Sequence, residues 1–382
     1  MDRGLTQRLE RWRDAGVVDA ATADRIRAWE AQHAPAEGSR LGRLAFGFGG
    51  LLLAAGILLF VAANWQQLSP WGRFGLLATT VAALHLAAGF AGTRMPALAT
   101  VLHAVGTAAL GGGIFLAGQA FHLAEQWPAG LLLWALGAAF ALWWLRDWPH
   151  VLYVATLVPA WLIAEWDVRV GFEARGAFAV AATGAFVLAL AYLAAAGSNE
   201  SAKWRHELAR LGAVALVFAG AALPFAAFEQ EPFFARAGLD IATSWLALGW
   251  TVAALGPLAV GFGLRRRDAW PLLVALAFAL VVTRLDASTA TLRLVVHLLY
   301  LGAAVGVMWW GLRDAHRLRV NVGVFAFALT VLSFYFSSVF DKFGRSLGLI
   351  ALGALFIGGG WLLERTRRRL LRSIESGPGG AT

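Results

Sequence analysis

Two sets of polar side chains stand where this apolar chain could do chemistry. Asn64 and Gln66 close one hydrophobic run, and Gln119, His122 and Glu125 close another. His122 follows Gln119 by three residues and Glu125 follows by three more, so on one continuous helix they share a face. Together the five can line an outward-facing polar pocket for a cation, a sugar or a lipid headgroup. The plainer use of the same groups is helix capping and interfacial solvation. The second set is Arg293, His297 and Tyr300, spaced i, i+4 and i+7. A cationic, hydrogen-bonding stripe suits an anionic ligand such as a phosphate or carboxylate. Alternatively, Arg293 reaches up to the headgroups and His297 makes one interhelical bond. His85, His103 and Thr107 read as packing residues.

Several signals are missing. No acidic residue lies deep within an apolar run, which argues against a carboxylate-driven proton or sodium antiporter. There is no P-loop, no HExxH zinc helix and no GxSxG elbow. His122 and Glu125 form HxxE, but a metal needs further ligands. No catalytic residue, metal or cofactor is therefore assigned, and the reading leans away from an enzyme. The absence of cysteine excludes disulfides and thiolate sites.

The elements that must hold these residues are membrane spans. With 59% hydrophobic and 14% charged residues, the chain departs from soluble proteins, in which about 25% are charged. The fold class is an all-α integral membrane protein with about twelve transmembrane helices. The runs are 44–63, 74–91, 97–117, 129–145, 151–164, 174–196, 208–228, 243–264, 269–283, 292–312, 320–340 and 347–363. The fifth is short and the ninth weakest. Of the 32 Lys and Arg residues, 24 fall on one side of this scheme and 8 on the other. Short cytoplasmic loops retain basic residues, so both termini are expected in the cytoplasm, in a bacterial inner membrane. The net charge of +9 then faces anionic headgroups, making the bilayer and not nucleic acid the partner.

Residues 1–43 form a cytosolic helical hairpin and linker, 44–365 the membrane domain and 366–382 a basic tail. In the head, Thr6 can cap a first helix that stops at a left-handed Gly16, and Asp19 caps a second from Ala20 to about His33. Leu5, Leu9 and Trp12 recur at helical spacing, as do Ile26 and Trp29, so the hairpin is expected to bury both tryptophans. So short a hairpin needs a partner surface, which points to docking or self-association through residues 1–38.

Pro159, Pro224 and Pro257 should kink the fifth, seventh and eighth spans, freeing carbonyls that neighbours or water must satisfy. Small residues at four-residue spacing (Ala109, Gly113 and Ala117; Gly50 and Ala54; Ala354 and Gly358) place spans three, one and twelve inside the bundle. Trp65, Trp71, Trp127, Trp148, Trp166 and Trp270 mark span ends at the interface.

The Ala62-Ala63-Asn64-Trp65 motif, the GGGIFLAGQAFHL run from Gly111 to Leu123 and the LERWRDAGVVDAATADRI head resemble a bacterial membrane-protein family called domain of unknown function 2157. The stretch from Arg319 through Arg369, with Asn321 and Tyr335, is similar to the end of family members. The resemblance implies a polytopic inner-membrane protein and supplies no activity. Three functional classes follow from the residues. The first is a transporter or flippase for a small or lipid-linked substrate. The second is a non-catalytic scaffold or sensor acting through the head. The third, a membrane enzyme, requires His122, Glu125, His297, Glu165, Asp167, Glu229 and Glu231 to converge.

Overall fold

A computed structural model describes residues 9–33, 69–120, 127–172, 176–197, 202–224, 243–285 and 289–335, except 10–11 and 93, with isolated positions in 48–63 and 353–365. The first and twelfth spans and the basic tail lie outside the described residues. The described structure is helical throughout, as lipid requires of a chain with no closed barrel. Two compact units divide it, residues 1–109 and 110–382.

In the first unit, α1 runs Ala20–His33 and α2 runs Pro70–Ala91. The Asp19 carboxylate accepts from Thr22 N at 2.9 Å, the expected cap. Gly16 has φ +69°, the left-handed stop that a residue without Cβ adopts freely. Leu9 and Ala23 are buried. Trp12 and Trp29 are not: they are 42% and 58% exposed. Periodicity marks a shared face, but it does not say whether that face is covered. Ser69 caps α2 by accepting from Gly72 N at 3.1 Å. Helix α3, Pro96–Ala120, crosses from this unit into the second.

The second unit continues with α4 (Trp127–Leu145), α5 (Trp148–Val170), α6 (Ala177–Leu193) and α7 (Lys203–Ala222). Then come α8 (Thr243–Arg265), a 3₁₀ turn at Arg266–Ala269, α9 (Pro271–Val282), α10 (Ala290–Arg313) and α11 (Arg317–Phe334). Helix α6 is the centre. It packs on α7, α8 and α9, and its Phe186, Val187, Leu190 and Leu193 join Leu223, Leu272 and Val282 in one core. A Cβ at Gly212 of α7 would lie 2.3 Å from Leu193 N, so these two backbones touch. Gly323 brings α11 as close to α10, where a Cβ would lie 2.8 Å from Met308 N.

Seven described helices (α2–α5, α8, α10 and α11) are long and apolar enough to cross a bilayer. The count of twelve does not follow from them. The fifth span is not short: α5 has 23 residues. Glu165, Asp167 and Arg169 had marked its end, but Arg169 pairs with Glu165 one turn back at 2.7 Å, and the helix runs on to Gly171. Glu165 and Asp167 are therefore helical, not residues of an outer loop. The ninth span is a helix of 12 residues, about 18 Å long and well under the roughly 30 Å of a hydrocarbon core. Among the described helices the most buried is α6, ahead of α3, the one described span with a four-residue seam.

Prolines 159 and 257 lie within α5 and α8. Pro224 instead falls beyond the last residue of α7. A proline deprives the carbonyl four residues earlier of its N–H. For Pro159 that carbonyl is Ala155 O, and Tyr192 OH donates to it at 2.8 Å. For Pro224 it is Gly220 O, and Tyr300 OH donates to it at 2.8 Å.

Candidate functional site

The Arg293–His297–Tyr300 stripe lines a cleft between α7, α10 and α11 of about 720 Å³. Arg293 stands in the first turn of α10, and Pro224 and Ser333 are the last cleft residues of the facing segments. At the far end is Asn321, twelve residues from Ser333 along α11. That span is about 18 Å long at the helical rise. The lining between is mainly apolar, including Leu216, Val217, Val322, Phe325 and Leu329. One end of the cleft is charged, and most of its length is oily.

Each polar group has a defined state. Thr289 starts α10 by accepting from Leu292 N at 3.2 Å, which sets Arg293 at the mouth. Arg293 is exposed. His297 Nδ1 donates to Arg293 O at 2.7 Å, which leaves Nε2 as the ring nitrogen not used in that bond. The His297 ring meets Phe334 edge-on at 5.3 Å. Tyr300 is committed to Gly220 O and meets Phe278 edge-on, with ring centroids 5.2 Å apart. Thr330 returns its hydroxyl to Ala326 O at 2.8 Å. The group suited to an anion is Arg293, with His297 one turn along the same helix.

Most of the other expected pocket lies outside the described residues. Asn64, Gln66, His122 and Glu125 lie outside them, and Gln119 is exposed at the end of α3. Glu165 and His297 do not converge. Glu165 lines a separate, almost wholly apolar cavity of about 340 Å³ between α5, α6 and α8. Glu229 and Glu231 are outside the described residues. No group of three or more His, Asp or Glu side chains that could hold a metal occurs among the described residues.

Sequence reasoning missed a second polar centre at the opposite end of α10 and α11. Arg319, read as a loop base, is fully buried. Its guanidinium pairs with Asp314 and donates to Ala194 O at 3.2 Å and Ala196 O at 2.6 Å. It also lies 4.3 Å from the Trp310 ring centre. Arg265 reaches Asp314 at 2.6 Å, and Arg205 donates to Ala195 O and Leu264 O. Ala194 O, Ala195 O and Ala196 O follow the end of α6, and Leu264 O stands at the end of α8; cations suit the negative end of a helix dipole. His316 is buried beside them. Burial, then the positive charges of Arg319, His206 and Arg265, push its pKa down to about 4 against the pull of Asp314. The signal was present in the sequence: an arginine five residues after an aspartate at a span boundary.

Helices of this length and composition, with an oily cleft and, among the described residues, buried charge at helix ends, define a multi-pass helical membrane protein. Residues 10–151 match the family model described as "Predicted membrane protein (DUF2157)", so the resemblance drawn from the sequence holds over that stretch. The match takes in most of the head and the first four spans and does not reach Arg319 through Arg369. No curated protein and no solved structure matches the chain.

Proposed function

We propose that this protein is a transporter or flippase-like protein for a small anionic or lipid-linked substrate, received in the α7–α10–α11 cleft. One observation carries the reading: an elongated cleft of about 720 Å³ with Arg293 and His297 at one end. That volume lies in the range of about 300–1,000 Å³ typical of ligand sites. An acyl chain fits the apolar length, and a phosphate or carboxylate fits the charged mouth. The bias of basic residues supports both termini in the cytoplasm, and in the twelve-span scheme Arg293 then lies toward the outer face of an inner membrane. The test is reconstitution in liposomes with fluorescent anionic and zwitterionic lipids and quenching from one side. Scrambling of the anionic lipid, lost in Arg293→Gln and reduced in His297→Ala, supports the reading. Scrambling absent from the wild type, or equal in both variants, overturns it.

A second reading, a scaffold or sensor acting through residues 1–38, is favoured by the exposure of Trp12 and Trp29 on the head. Tryptophan is among the residues that interfaces enrich. Deleting residues 1–38 would then abolish a self-association or partner contact while leaving lipid scrambling intact.

A further inference from the structure

His85 on α2 and His103 on α3 each read as a lone packing residue in the sequence, yet they face one another. Their Nδ1 atoms are 2.8 Å apart, and the ring centres are 5.1 Å apart at a tilt of 34°. At that separation one Nδ1 carries a proton and the other presents its lone pair. The fit depends on Gly106, one turn after His103: a Cβ there would lie 2.9 Å from His85 Nε2. His85 is six residues from the end of α2 and His103 seven from the start of α3, so the pair sits about 10 Å inside the apolar helices. Neither helix brings an Asp, Glu or Lys. Their other charged side chain is Arg73, twelve residues from His85, and Arg94 lies in the connection nine residues from both histidines.

We propose that His85 and His103 form an intramembrane binding site for one exchangeable proton and a relay between their two outer nitrogens. In the neutral pair, one ring holds Nδ1–H with Nε2 bare, and its partner holds Nε2–H with Nδ1 bare. A proton arriving at the bare Nε2 leaves the inner bond intact and makes it charge-assisted. The inner proton then shifts from one Nδ1 to the other, and the second ring releases its Nε2 proton. One proton enters, one leaves, and the tautomers are exchanged. A second added proton would set two N–H groups face to face and break the contact, so the site holds one. The inference stands apart from the cleft.

The full chain, labelled with ¹⁵N-histidine in lipid nanodiscs, gives the test by solid-state NMR. A coupling between one protonated and one unprotonated Nδ1 is expected, persisting as the pH is lowered and the pair gains one proton. His85→Gln and His103→Gln should each remove the coupling and leave the other ring to titrate alone. Gly106→Ala changes no titratable group and should weaken the coupling by displacing the His85 ring. The proposal is overturned if the wild type shows no coupling or the pair gains two protons. It fails equally if Gly106→Ala leaves the spectrum unchanged.

Discussion

The α10–α11 hairpin carries an arginine at each end, and the two are used in opposite ways. Arg319 is fully buried, with its donors spent on Asp314 and on the carbonyls of Ala194 and Ala196. Arg293 is exposed, at the mouth of the cleft. The lesson is that burial of an arginine does not by itself mark a site. A guanidinium saturated by a helix terminus is architecture, whereas one placed at the charged end of an oily cleft is available for a ligand.

The largest effect that tests this contrast is Arg319→Met. It leaves Asp314 half-paired and uncaps α6, and removing one partner of a buried pair costs about 3–5 kcal/mol. Thermal unfolding in detergent should show that loss, and Arg319→Lys should not restore it, because an ammonium cannot reproduce the planar fork. A near-normal Arg319→Met protein would erase the distinction between the two ends.

The same end should be sensitive to pH. His316 is held neutral down to about pH 4, below its ordinary value of about 6.5. The unfolded chain therefore binds the proton first. Stability is fully present above about pH 6.5 and declines as pH falls toward 4. His316→Gln should flatten that part of the stability profile.

Tyr300→Phe strands the Gly220 carbonyl that Pro224 leaves without a donor, a loss of about 1–2 kcal/mol. Adding Pro224→Ala returns an N–H and should recover most of it, so the pair of changes is non-additive. Additive losses would mean that Tyr300 acts by packing alone. The smallest effect on stability belongs to Arg293→Gln, within about 0.5 kcal/mol for an exposed site. The same change should weaken binding of an anionic lipid about tenfold, read by titration in nanodiscs.

Much of this was legible in the chain. Apolar length located ten consecutive helices, α2 to α11, because lipid leaves a backbone few other options. The Arg293–His297–Tyr300 stripe was readable because all three residues sit on one helix, where spacing fixes the face. The His85–His103 pair was not, since its members lie on different helices and nothing in either run names the other. The length of α5 was misjudged because charges at a span end look like an exit, whereas Glu165 and Arg169 neutralise each other along the helix. The shortness of α9 and the centrality of α6 depend on tertiary packing. An apolar run of either kind reads the same, whether lipid or protein surrounds it.

The burial of α6 also bears on how the protein is made. During synthesis its first close neighbour in the second half is α7, which follows at once and meets it backbone to backbone at Gly212. Its other neighbours, α8 and α9, begin only at Thr243 and Pro271. Until they emerge, the face of α6 that they will cover must rest against lipid. A helix with a polar side could not wait there. Apart from Thr183, Gly184 and Tyr192, α6 carries only Ala, Val, Leu and Phe and no charged side chain, which lets it stand in the bilayer as a provisional lipid-facing helix, then exchange lipid for protein as its partners arrive.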